Sequence, residues 1–253
     1  MGRKKSNSGC AKKITTYTEK NGALFPHILN TINSVAAFGT REFVNLKNIL
    51  SSAEIFEDRL RNNRLNFKSA VYLDQTHSGN INILKSLGSN RKVLSDTDGV
   101  ITSLRKIVLT VRSADCVPIL MFNPQKTIIG ASHQGWKGVL LRLPQKMVEE
   151  TLKNGGKIED LKIAIGPSIG YCCYDVSEER MNLFKNAFPN YPFESNRLNL
   201  PHLSYVQLIE MGLKKENIFF FPFCTKCDKK RFFSFRRDSK TNYGEMVSFI
   251  MLN

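Results

Sequence analysis

The sequence predicts an α+β fold, an α+β domain with layered mixed sheets. Three observations predict it. Short β-branched and apolar runs recur through the middle of the chain, as in Ile107-Val108-Leu109-Thr110-Val111, the pattern of strands buried on both faces. Strands outnumber helices. Hairpin-like spacings alternate with helical crossovers, which mixes antiparallel and parallel pairing.

Taken in order, the first residues are polar and basic, and residues 1–20 are expected to be a flexible tail ahead of a single domain at 21–253. Phe25 to Phe43 reads as irregular structure with strand content. Ser51 to Asn63 reads as a helix, with Ile55, Leu60 and Phe56 as its apolar face. Ala70-Val71-Tyr72-Leu73 is a short strand that delivers Gln75-Thr76-His77-Ser78-Gly79. The run at Ile107 ends in Arg112-Ser113-Ala114-Asp115-Cys116, and Val117 to Phe122 follows as a strand with Pro118 near its start. Asn123-Pro124 turns the chain. Thr127 to Ala131 is the next strand, leading into Ser132-His133-Gln134-Gly135-Trp136-Lys137-Gly138. One helix is expected from Val139 to Lys153, with Pro144 near its first turn. Leu161 to Ile165 is a strand, Ser177 caps a helix through Asn186, and Pro201 opens a helix to Met211 that Gly212 ends. Ile218 to Phe223 and Met246 to Leu252 are the last strands.

Composition narrows the function. The 253 residues are 42% hydrophobic and 23% charged, ordinary for a globular protein. The net charge of +15 fits either a nucleic-acid binder or an enzyme with small anionic substrates. The basic residues are spread along the chain with no interleaved aromatic stripe and no nucleic-acid motif, so small molecules are the expected partners. No apolar stretch follows the basic N-terminus and none is long enough to span a membrane. Six cysteines in a chain this size do not make a disulfide framework, and the expected compartment is cytoplasmic.

Three residues stand out. His77 and His133 each follow a predicted strand and precede a glycine-containing turn, and Cys116 sits at a strand end after Asp115. Two imidazoles and a thiolate suit Zn²⁺, and three protein ligands leave a fourth position open, the catalytic pattern. The bland alternative is two hydrogen-bonded turn histidines and a small buried cysteine. If the site is real, the three ligand atoms should lie within about 4 Å of one another. A metal-free alternative makes Cys116 a nucleophile with His133 or His77 as its base. Asp115 is a candidate for orienting a ligand or a proton, or a turn-capping aspartate. Cys224-Thr225-Lys226-Cys227, flanked by aromatic strands, reads as a structural turn, and Cys172-Cys173 as a half-buried pair. The zinc deaminase signature of His-x-Glu with Pro-Cys-x-x-Cys does not occur.

These pieces, in order, resemble the laccase-domain family, also called multicopper polyphenol oxidase or peptidoglycan editing factor, which includes purine nucleoside phosphorylases. The resemblance rests on Gln75-Thr76-His77, Asp98-Gly99-Val100-Ile101-Thr102, Val111 to Pro118, Ala131 to Gly138, Gly166-Pro167-Ser168-Ile169-Gly170-Tyr171-Cys172-Cys173-Tyr174, Cys224-Thr225 and Phe232-Phe233-Ser234-Phe235-Arg236-Arg237-Asp238. It runs from about Phe38 to the C-terminus. It implies a compact single domain with β-sheets sandwiched between helices, and His77, Cys116 and His133 as zinc ligands. It also implies phosphorolysis of adenosine, inosine, guanosine or methylthioadenosine, and deamination of adenosine. The expected assembly is a monomer or homodimer. The family's older label implies copper, but the chain lacks the many histidines a multicopper cluster needs. Phosphate would need positive charge, for which Arg41, Arg112 and Arg236 are candidates, with Asn45 in the Asn-Leu step after Arg41. The structural alternative for an arginine, a salt bridge, is favoured at Arg237. Three departures stand out. The family's Arg-x-Gly-Gly loop keeps Arg41 but loses both later glycines, Tyr171 replaces a proline, and Ser239 replaces a glycine. A cysteine hydrolase acting on cell-wall precursors is the alternative enzyme.

Overall fold

The longest strands are buried along their whole length. Ile107–Ser113, Val117–Asn123, Ile128–Gln134 and Met246–Leu252 each have apolar residues pointing to both faces, with nearly every residue buried. Such strands need cover on both sides. The computed structural model, which describes residues 16–87, 92–238 and 243–253, supplies it with four layers.

Among the described residues, one mixed sheet has the spatial order β1 (Tyr17–Lys20), β2 (Ala23–Pro26), β3 (Ser34–Gly39), β13 (Met246–Leu252), β8 (Ile107–Ser113), β4 (Ser69–Leu73) and β6 (Lys92–Leu94). The other has the order β12 (Ile218–Phe220), β11 (Lys162–Ile165), β9 (Val117–Asn123), β10 (Ile128–Gln134), β7 (Gly99–Thr102) and β5 (Ile81–Leu84). Between them lies a core that takes Phe38, Leu109 and Val111 from the first sheet and Val100, Leu120 and Ile129 from the second. The outer face of the first sheet is covered by α1 (Ile49–Asn62), which lays Ala53, Phe56 and Leu60 on Tyr72 and Phe249. The outer face of the second is covered by α3 (Leu143–Lys153), α4 (Glu178–Ala187) and α5 (Leu200–Glu210). The expected sheets between helices are therefore present, in one α+β domain.

Four expectations change in detail. Ile55 is 61% exposed, because the buried face of α1 follows residues 53, 56 and 60, three and four apart. The helix expected from Val139 to Lys153 is two helices, α2 (Trp136–Leu140) and α3. Pro144 has no N–H to donate and would clash with the carbonyl four residues back, so it sits in the first turn of a new helix. The break is made at Arg142, with φ +60°. The strand expected to end at Ala131 runs on through Gln134, pairing His133 with Pro118 across the ladder. Of the expected tail, residues 1–15 lie outside the described residues. Tyr17–Lys20 is ordered as β1, because Tyr17 packs edge-on against Phe221 at 5.0 Å while its strand pairs with β2. Other expectations stand as read. Ser177 Oγ accepts the Arg180 N–H at the start of α4, and Gly212, with φ +91°, ends α5 in the left-handed conformation that glycine adopts without penalty. No helix among the described residues is long and apolar enough to cross a membrane.

Candidate metal centre

Strand direction brings the three ligands to one edge. β4 runs parallel to β8, so both end at the same side of the molecule. Beyond Leu73 the side chain of Gln75 continues the ladder, donating to the Arg112 carbonyl and accepting the Arg112 N–H, each at 2.8 Å. This holds the His77 loop against the turn after β8. That turn carries Cys116 and starts β9, which pairs antiparallel with β10, so His133 returns to the same edge. β7 begins there too, with Asp98 just ahead of it, and the His133 N–H donates to the Asp98 carbonyl at 2.8 Å.

The three side chains converge. One ligand atom from each of His77, Cys116 and His133 lies within 4.8 Å of the others, somewhat wider than the expected separation of about 4 Å around a zinc ion. Cys116 Sγ is 3.7 Å from His77 Nε2, and the imidazole rings are 4.9 Å apart and near perpendicular. His133 is buried while His77 is exposed and Cys116 half-buried, so the centre is open to small molecules on one side. The donor set and its spacing fit a single tetrahedral ion with one position free.

Asp98 organises both histidines. It is fully buried and bonds His133 Nδ1 at 2.8 Å, which leaves Nε2 for the ion and fixes the ring, the usual carboxylate support of a metal-bound histidine. It also accepts the N–H of Ser78 at 2.6 Å and its hydroxyl at 2.8 Å, which fixes the backbone beside His77. Burial alone would raise the Asp98 carboxyl; His133 and Ser78 bring it below its ordinary range. Burial likewise opposes charge on Cys116, yet His133 and His77 lower its thiol to about 7. In His133, burial is outweighed by the Cys116 thiolate and Asp98, so the imidazolium is strongly favoured. Without metal, their mutual attraction favours a thiolate on Cys116 and an imidazolium on His133. In the sequence Asp98 stands out only as the first residue of Asp98-Gly99-Val100-Ile101-Thr102. Its role was not legible because hydrogen-bond partners 20 and 35 positions away follow no local period.

The other candidates fall into three places. Asp115 is buried at φ +90°, and its carboxylate accepts Thr225 Oγ1 at 2.7 Å, Ser234 Oγ at 3.0 Å and the Arg236 N–H at 2.7 Å. It therefore pins the C-terminal segment to the turn that carries Cys116. Arg112 and Asn45 share a cleft of about 620 Å³ with Lys47 and Asn48. There Arg112 pairs with Glu245 at 2.9 Å and Asn45 Oδ1 accepts the Glu245 N–H. Arg41 lies apart from that cleft, donating to the Lys229 carbonyl at 2.7 Å and stacking over Phe233. Exposed Arg236 lies over the ring of Tyr174 at 4.8 Å. Arg237 is spent on structure, donating to the carbonyls of Thr225, Lys226 and Phe232 and pairing with Asp238.

Gly135, at the start of α2, makes room for a ligand. A Cβ on it would lie 2.4 Å from His77 Cδ2, closer than side-chain carbons approach. Its φ of −70° suits any residue, so only space excludes a side chain. Gly135→Ala is therefore expected to push His77 out of position and weaken metal binding by about tenfold or more, with the fold kept. Competition with a chromophoric chelator measures this, and an unchanged affinity would show that the ring has freedom the geometry denies it.

The sequence model of the multi-copper polyphenol oxidoreductase laccase family matches residues 48–253. The chain belongs to this family. Among its relatives, the purine nucleoside phosphorylase YlmD of Bacillus subtilis is 29% identical over 97% of this chain and 90% of its own. The adenosine deaminase RL5 of an unknown prokaryotic organism is 30% identical over 64% of this chain and 68% of its own. The crystal structure of YlmD from Geobacillus stearothermophilus superposes with a TM-score of 0.83 at 24% identity, covering 94% of this chain and 99% of that one, so the two share a fold. The family's copper label sits poorly on this member. It has four histidines, of which His27 meets Thr18 and His202 meets Tyr191, away from the pair at the centre.

Proposed function

We propose that this laccase-family chain is a zinc-dependent purine nucleoside enzyme. It cleaves adenosine, inosine, guanosine or methylthioadenosine with phosphate and deaminates adenosine. The observation that carries the reading is the convergence of His77, Cys116 and His133 on one point open to solvent. The names of two relatives, one matched over 90% of its own length and the other over 68%, support the substrate class.

Zinc, when bound, supplies Lewis acidity and a nucleophile from water near neutral pH. The chain's own residues do the rest. Asp98 holds the proton on His133 Nδ1, so that Nε2 faces the ion. The cleft of Asn45 and Arg112 has the size of small-molecule sites, roughly 300–1,000 Å³. Arg112 reaches it from the end of β8, four residues before Cys116. In phosphorolysis a phosphate oxygen bonds C1′ of the ribose and the bond from C1′ to the purine breaks, the base leaving with a proton. Arg112 would hold that phosphate by exchanging its bond to Glu245. A second reading, a cysteine hydrolase, has in its favour the Cys116 thiol lowered by two histidines.

The test is a panel of the four nucleosides, with and without phosphate, on metal-replete and chelator-treated protein. Free base should form only with phosphate, inosine should form from adenosine without it, and both should stop on metal removal. If metal-replete protein forms neither product, the nucleoside reading is wrong. Turnover of cell-wall precursors that survives chelation would establish the cysteine hydrolase.

A further inference from the structure

The four cysteines read from sequence as a turn and a half-buried pair come together in space. β11 and β12 are parallel neighbours and end at the same edge. The loops that follow them continue side by side, linked by the bridge between Ser168 and Cys224 and by the Thr225 N–H donating to the Ser168 carbonyl at 3.0 Å. One loop presents Cys172 and Cys173, the other Cys224 and Cys227. Their four Sγ atoms all lie within 4.8 Å of one another, with Cys172 to Cys227 at 3.6 Å and Cys173 to Cys227 at 3.4 Å.

We propose that Cys172, Cys173, Cys224 and Cys227 bind a single structural zinc ion as a tetrahedral four-thiolate site. Zinc–sulfur bonds of about 2.3 Å put the sulfurs of such a tetrahedron ~3.8 Å apart, close to the separations seen. A cubane iron–sulfur cluster would place iron and sulfide between its thiolates and hold them farther apart. The backbone is arranged for thiolates as well. Cys224 Sγ accepts the Gly170 N–H at 3.3 Å, and the Cys227 N–H also points to it. Gly170 lies directly against the cluster, where a Cβ would sit 3.4 Å from Cys172 Sγ. On binding, the thiol protons leave to solvent and four Zn–S bonds form. Four protein ligands close the ion's shell, so this site is structural and not catalytic.

The site has work to do in the fold. Its second loop carries Thr225, which donates to Asp115, and Arg237 binds the carbonyls of Thr225 and Lys226. A closed ion here would stiffen the loops that hold the Asp115 turn, next to Cys116. The inference concerns a different ion from the one at the His77 centre and does not depend on the nucleoside reading.

The test is elemental analysis of full-length protein purified under reducing conditions. Wild type should hold about two zinc ions per chain, and both the His77→Ala/His133→Ala and the Cys172→Ser/Cys227→Ser double variants about one each. If the cysteine variant does not fold, cobalt substitution of the His77→Ala/His133→Ala variant keeps the question open to measurement. It should give the intense visible bands of tetrahedral four-thiolate cobalt and protect the four thiols from alkylation. Three results would overturn the proposal: no zinc in the histidine variant with freely alkylated thiols, a mass showing a disulfide among the four cysteines in the reduced preparation, or one equivalent of iron in place of zinc.

Discussion

Cys116→Ala is expected to empty the His77 centre and suppress both nucleoside reactions by more than about 100-fold, beyond the ~10–100-fold typical of losing an outer partner of a metal ligand. The thiolate is the only formally charged ligand of the three, and two histidines alone hold zinc weakly. The variant should also lose a pH signature. In the metal-free wild type, the Cys116 thiolate and Asp98 raise the His133 imidazole, to about 10, so an ion must displace a proton from it. The sign follows. Below that raised value the proton competes with the ion, so wild-type affinity climbs as pH rises through the neutral range. Removing the thiolate lets the imidazole fall back, so the residual affinity of the variant should climb less steeply. Zinc titrations at several pH values measure both effects. Wild-type affinity independent of pH would mean that the histidine is already neutral, and the ion-pair account would fail.

Asp98→Ala is the second large effect. Asp98 is fully buried and answers three donors, His133 Nδ1 and the backbone and hydroxyl of Ser78. Removing it strands a buried imidazolium and a backbone N–H. Breaking a buried pair on one side costs about 3–5 kcal/mol. The direction with pH can be stated in advance. Asp98 has a lowered folded pKa, so its contribution is present above its unfolded value of 3.8 and is lost as pH falls below it. His133 has a raised one, so its share is complete below its unfolded value of 6.5 and fades on the alkaline side. Denaturant unfolding of metal-free wild type and variant should therefore differ most between these two values and converge in strong acid. Asp98→Asn keeps the shape but turns an NH2 donor toward one of those three donors, so it should lose part of the same stability and lower metal affinity by ~10–100-fold. Equal midpoints for wild type and Asp98→Ala near pH 5 would remove Asp98 from this role.

Much of the layered fold is legible in the chain because local physics writes it there. β8, β9, β10 and β13 are apolar on both faces, and only a strand between two layers needs that. The caps at Ser177 and Gly212 follow from which backbone groups a helix end leaves unpaired. His77, Cys116 and His133 stand out by their residue types and their places near strand ends, and the ordered motifs around them point to the family. Other features have no local mark. Ile55 and Phe56 are both apolar and adjacent, and only the position of the sheet beneath α1 decides which is buried. Pro144 marks the first turn of a helix, but only the structure shows that a separate helix precedes it and that left-handed Arg142 makes the break. The aspartate supporting both histidines and the glycine making room for His77 are defined by atoms far away in sequence. The same is true of the four-cysteine cluster. Cys172-Cys173 and Cys224-Thr225-Lys226-Cys227 are each weak signals along the chain, separated by about fifty positions. Parallel pairing of β11 with β12 sets their loops side by side, and strand pairing of that kind depends on the whole sheet, not on the residues that end up meeting.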